Sequence, residues 1–232
     1  MKIYRKTFPL LFSIAFFLAA CATKEPVLQT GPDVKVTSEG LVRVENSRVD
    51  DAFAHPDVDF TKFTSIMIDE LDLSQINIVQ PDAGIYSARY ELWELTDEDR
   101  AFVKDLYAEK MAKYVFERSG YTRATEPAEN VLRLMVAVAR FEPNAPRGAN
   151  TISSGAGRGA VYTQGVGTIT IVGLLQDAGT GQVVARFADT RDQDDNWSRG
   201  SEVRNKSEVR RVFDFWAQLF QYRLDALNGK IQ

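Results

Sequence analysis

The chain has 232 residues, with 28 Lys+Arg against 32 Asp+Glu, a formal charge of −4 and a pI near 5.2. That acidic balance argues against nucleic acid as a partner, because such binding rests on neutralising phosphates with clustered Lys and Arg. An apolar content of 44% at this length predicts one globular domain with a sizeable core. The single cysteine, Cys21, excludes a disulfide framework.

In chain order, Lys2, Arg5 and Lys6 come first, then an apolar run from about Phe8 to Leu18, then Ala19 and Ala20. A basic start, a short apolar stretch and small residues before a cut describe an export signal, too short to span a bilayer permanently. The exit Leu18-Ala19-Ala20-Cys21 resembles the lipobox of bacterial lipoproteins. The resemblance implies a diacylglyceryl group on the Cys21 thiol, cleavage of residues 1–20 before it, and acylation of the new amine. A single acyl chain holds a protein on a membrane only marginally, whereas two or three make the anchor effectively permanent. Cys21 therefore reads as a tether, not a nucleophile. Ala22 follows it, and in the sorting rule of enteric bacteria an Asp at that position retains a lipoprotein in the inner membrane. By resemblance to that rule, the periplasmic face of the outer membrane is expected. Cleavage removes Lys2, Arg5 and Lys6 and no acid, moving the formal charge from −4 to −7. A chain so acidic repels anionic headgroups, which discourages lipid contact beyond the anchor.

Residues 22–40, "ATKEPVLQTGPDVKVTSEG", show no sustained period and read as a flexible tether, so the folded domain is expected over 41–232. "FTSIMID" (63–69) alternates and predicts a first strand. "LTDEDRAFVKDLYAEKMAKYVFERSGY" predicts a helix: Thr96 as N-cap with Asp99 in the box position, an apolar stripe through Phe102, Leu106, Tyr107, Tyr114 and Val115, and Gly120 as the stop. "NVLRLMVAVARFEP" (130–143) predicts a strand central in its sheet, since both faces are apolar. "GTITIVGLLQDAGTGQVVARFADTR" (167–191) predicts a hairpin around Asp177–Gly181. A last helix, from Ser201 or Ser207 to Leu227, carries Val212, Phe213, Trp216, Leu219 and Phe220 on one stripe. The expected fold is α+β: a mostly antiparallel sheet of about four strands with two amphipathic helices packed on one face.

Four segments in order, "DVDFTKFTSIMIDEL" (57–71), "LTDEDRAFVKDLYAEKMA" (95–112), "VLRLMVAVARFEPNAP" (131–146) and "GLLQDAGTGQVVARFADTR" (173–191), resemble a proteobacterial lipoprotein family, domain of unknown function 3313. The resemblance covers roughly residues 41–228. It implies an exported, lipid-anchored domain and supplies no catalytic residues.

Motifs that suggest chemistry fail on their context. Gly155-x-Gly157-x-x-Ala160 matches the dinucleotide fingerprint in form, yet the strand-like "TITIVGL" follows it where a helix is required. The segment 144–166 reads instead as a long Gly-rich loop, with Arg158 and Tyr162 as candidate contacts for a partner or ligand. His55, the single histidine, has nothing marking a nucleophile beside it and reads as a surface residue. "DTRDQDDNWSRGSE" (189–202) places Asp192, Asp194 and Asn196 at alternate positions, but Trp197 stands where an EF-hand needs Gly and Val203 where it needs Glu. It reads as a solvated acidic loop, with those three residues a weak cation candidate and no metal site expected. Asp69, Glu70 and Asp72 read as a solvated strand end, because adjacency does not give two carboxyls flanking a cleft. Phe215 and Tyr222 fall off the buried stripe of the last helix, seven residues apart and on one face, and form a candidate contact patch.

The expectation is therefore a non-enzymatic envelope lipoprotein with no cofactor, held to the membrane by its anchor and acting through contacts with another envelope protein. The alternative is a binding module for a cell-wall glycan or lipid that uses the 144–166 loop.

Overall fold

The computed structural model describes residues 24–81, 92–144, 162–164, 166–192, 197–199 and 202–230. In chain order the elements are β1 (Val27–Leu28), β2 (Val42–Glu45), β3 (Asp51–Ala54), β4 (Ser65–Ile68), β5 (Asn77–Ile78), α1 (Asp97–Met111), β6 (Thr122–Arg123), β7 (Val131–Pro143), β8 (Tyr162–Gln164), β9 (Gly167–Asp177), β10 (Val183–Asp192), β11 (Trp197–Arg199) and α2 (Glu202–Leu227).

The long elements form where the pattern demands them. In β9, Ile169, Ile171 and Leu175 are buried while Val172 and Leu174 face out, the period-2 alternation of a sheet covered on one face. Thr96 accepts the Asp99 N–H while Asp99 Oδ2 accepts the Thr96 N–H, a closed capping box that satisfies two donors at the start of α1. The helix runs on as a wider π-type stretch over Ala112–Arg118 and stops at Gly120, whose φ of +70° is the left-handed turn that favours glycine. Both helices lie on one face of the sheet, where Val115, Val212 and Phe213 meet Leu132, Leu134 and Ile171 in one core.

The sheet corrects the expected strand count. Among the described residues nine strands form it, in the order β1-β2-β3-β10-β9-β7-β4-β6 with β5 beside the far half of β7, and β8 and β11 make a separate ribbon. It is mixed: β4 pairs parallel to β6 and β7, and β5 parallel to β7. The chain leaves β4, crosses through α1 and re-enters beside it as β7, and such a crossover makes neighbours parallel. The strands β1, β2, β3, β5 and β6 are two to four residues long, too short to display a period in the sequence.

Two segments expected as irregular are partly strand. Val27 pairs with Glu45 and Leu28 with Val44, so the chain joins the sheet within the segment read as a tether. In the segments read as loops, Tyr162–Gln164 and Trp197–Arg199 pair with each other, and β10 extends to Asp192. Residues 145–161, including Gly155, Gly157, Arg158 and Ala160, lie outside the described residues, as do 193–196 with Asp194 and Asn196.

Candidate functional site

Between the second half of α2 and the β1-β2-β3-β10 side of the sheet lies a cavity of about 580 Å³, within the range of small-molecule sites, about 300–1,000 Å³. Its floor is Val136, Ile171, Ala185 and Phe187 from the sheet. Its roof is Phe213, Trp216, Ala217 and Phe220 from α2, and α1 closes one side with Tyr107 and Met111. The amphipathic pattern that builds the core builds these walls too, since they are the same inward-facing positions. Small residues, Ala185 on the floor and Ala217 on the roof, leave space that larger ones would fill.

Glycine shapes the floor. Gly173 of β9 is in register with Phe187 of β10. A Cβ on it would lie 2.2 Å from Phe187 Cζ, so only a residue without a side chain lets the Phe187 ring lie flat across the neighbouring strand.

A polar network holds the cavity's edge. Asp189, 0% exposed, accepts Trp216 Nε1 at 2.7 Å and Arg191 Nε at 2.6 Å on one oxygen, and Arg191 Nη2 at 3.0 Å and the Asp50 N–H at 3.2 Å on the other. Arg191 Nη2 also donates to the Arg48 carbonyl at 2.7 Å. These bonds tie β10 and α2 to the turn between β2 and β3, which Asn46 enters with φ +57°, a conformation that asparagine tolerates. The turn brings Ser47, Arg48 and Val49 to the mouth, beside Glu25–Leu28 from β1 and the residues leading into it.

Two groups inside are unusual. Tyr107 lines the wall, and its buried Oη has no hydrogen-bond partner among the described residues. Burial first, then the charge of Asp69, pushes its phenol far above the ordinary range. His55 is half-buried on the wall, not on the open surface, and its Nδ1 accepts the Asp57 N–H at 3.3 Å.

The other sequence candidates separate. Tyr222 lines the cavity, with Arg48 5.8 Å and Arg223 5.6 Å from its ring centre, and Arg191 lies 4.3 Å from the ring centre of Phe215. The two aromatics do share a face of α2, at 38% and 45% exposed, but arginines cover part of each ring. Tyr162 sits in β8 opposite Arg199. Asp192 ends β10, in register with Thr168, and no group of acids, His and Cys suited to a metal occurs among the described residues. Asp69 is held by Arg133 at 2.7–3.1 Å, Glu70 by Lys104 at 3.0 Å, and Asp72 accepts the Ser74 N–H at 2.8 Å, so these acids serve local structure. Sequence reasoning missed the cavity and Asp189. One trace was there: Asp189 falls in phase with Phe187 on the inward face of β10, where an acid has to find partners.

The profile of a family described as protein of unknown function (DUF3313) matches residues 35–220, from the bridge at Val36 to Phe220 on the cavity roof. The chain belongs to the DUF3313 family. No curated protein matches this DUF3313 chain. Among solved structures, a Xanthomonas campestris protein of family DUF330 aligns at 14% identity and a TM-score of 0.39, covering 70% of this chain and 87% of that one. A PelC dodecamer from Paraburkholderia phytofirmans aligns at 14% and 0.36, covering 73% and 94%. A candidate lipoprotein from Caulobacter crescentus aligns at 14% and 0.33, covering 75% and 97%. Likenesses of this grade are too loose to carry any property across.

Proposed function

We propose that this DUF3313 chain is a non-enzymatic envelope lipoprotein, anchored through Cys21 at the periplasmic face of the outer membrane, whose domain binds an acyl chain in the cavity beneath α2. The observation that carries the reading is the cavity itself: about 580 Å³ walled by aliphatic and aromatic side chains. A concave, mostly apolar space of that size is the common form of a small-molecule site. An apolar ligand suits it, because aliphatic and aromatic side chains make its floor and roof. Of the glycan or lipid expected above as the alternative, lipid is retained, and the place moves from the 144–166 loop to the helix–sheet gap.

Trp216 on the roof provides the test. In the full lipidated chain with Trp93→Phe and Trp197→Phe, reconstituted in phosphatidylcholine vesicles, lipid brominated on its acyl chains should quench Trp216 fluorescence. Ala185→Phe, which fills the cavity from below, should reduce that quenching several-fold. Equal quenching in both proteins would remove the reading. The anchor is tested separately: Cys21→Ser should move the protein from the membrane fraction to the soluble one.

A second reading, contact with another envelope protein, is favoured by the uncovered face of the sheet. Val172 and Leu174 are 41% and 39% exposed there, and Leu174 stands in register with Met135 and Val172 with Ala137. Crosslinks from position 174 to one envelope protein, lost in Val172→Lys, would support it.

A further inference from the structure

The mouth of the cavity carries more positive charge than its surroundings balance. Among the basic residues around it, Lys110 has Glu109 at 3.1 Å and Asp214 at 3.4 Å, and Arg186, in register with the exposed Leu174 on the opposite face of the sheet, has Glu39 at 3.9 Å. Arg48 and Arg223 form no ion pair among the described residues. Both lie against the ring of Tyr222, at 5.8 and 5.6 Å. One acid, Glu25, stands at the mouth with them. Two guanidiniums gathered on one ring repel each other: burial first, and the Arg48 charge with it, lower the Arg223 pKa. An arrangement of like charges persists at low cost where an anion joins it, and arginine is the side chain best shaped to hold carboxylate or phosphate oxygens in pairs.

The position of the mouth says where such an anion comes from. Cys21 precedes Glu25 by four residues, and four residues reach at most about 14 Å. A lipid-anchored Cys21 therefore keeps the mouth close to the bilayer surface. We infer that Arg48 and Arg223 grip the anionic headgroup of a phospholipid drawn from the anchoring membrane, one of whose acyl chains enters the cavity. This rests on the acyl-binding reading above and deepens it. The acidic mature chain as a whole repels anionic lipid, but the sum of charges conceals two arginines, without an ion pair among the described residues, at the place where lipid would enter.

The test uses the same full chain in phosphatidylcholine vesicles, with Trp216 as sole tryptophan. Phosphatidylglycerol and phosphatidylcholine, each brominated on the acyl chain, are compared at equal mole fraction, with brominated stearate as the free-acid arm. Phosphatidylglycerol should quench several-fold more than phosphatidylcholine. In Arg48→Gln/Arg223→Gln that preference should vanish while quenching by phosphatidylcholine stays, showing the cavity intact. Equal quenching by the two phospholipids in the unsubstituted chain would overturn the headgroup inference and leave acyl binding standing. Quenching by stearate alone would overturn the membrane phospholipid as the source. Quenching by none would overturn the acyl-binding reading itself.

Discussion

Trp216 Nε1 donates to Asp189 Oδ2 at 2.7 Å, joining the roof of the cavity to the strand that forms its floor. The same carboxylate receives Arg191 and the Asp50 N–H, so one buried acid sets the position of α2 and of the turn that carries Arg48.

Removing the indole donor in Trp216→Phe leaves Asp189 with its other partners and should cost about 1–3 kcal/mol. Asp189→Ala strands a buried indole N–H and a partly buried guanidinium together and should cost more, about 2–4 kcal/mol. Urea unfolding of both single variants and the double variant would show non-additivity if the two side chains act as one unit. Additive losses would mean that each is held by its other contacts.

The close approach at Gly173 makes a second prediction. Gly173→Ala puts a methyl where the Phe187 ring lies, at 2.2 Å, and the ring must swing toward the cavity. Overpacking of this kind costs about 1–3 kcal/mol. Phe187→Leu in the same chain should recover much of the loss, whereas Phe187→Leu alone should destabilise. The midpoints of four urea curves decide it.

At low pH two carboxylates set the direction. For Asp177, burial acts to raise the pKa, but Lys62 at 2.5 Å and the Thr180 and Gly179 N–H groups outweigh it and hold the carboxyl below its ordinary 3.8. For Asp214, burial again acts upward and is outweighed by hydrogen bonds from Tyr114, Gln218 and Lys110. A depressed folded pKa gives stability that is whole above the unfolded value of 3.8 and is lost as pH falls through the lower folded one. Stability should therefore decline below about pH 4, and Asp177→Asn should flatten that decline in urea titrations taken stepwise from neutral to acid pH.

Tyr107 makes the opposite prediction at high pH. Its phenol is raised above the ordinary 10.0 by burial and then by Asp69, and Tyr121 is raised to about 12 by burial and then by Asp225. Raised folded values leave stability whole below pH 10 and drain it as pH climbs past that point, because the unfolded chain ionises first. Tyr107→Phe removes a buried hydroxyl that has no partner among the described residues, so at neutral pH it should be neutral or stabilise by up to about 1 kcal/mol. It should also lessen the alkaline loss, as thermal melts between neutral pH and pH 11 would show.

Local pattern alone announced the α1 cap at Thr96 and Asp99, its stop at Gly120, the long strand read over 130–143, the hairpin read over 167–191 and the stripe of α2. Each of these depends on residues a few positions apart, where period, capping and turn chemistry act. The two-residue strands, the parallel pairing of β4 with β7, and the meeting of Arg48 with Arg223 on Tyr222 came only from the folded chain. Pairing partners and charges distant in sequence are chosen by which surfaces the crossover through α1 and the packing of α2 bring together. A cavity, being the space that side chains fail to fill, has no residues of its own to carry a pattern.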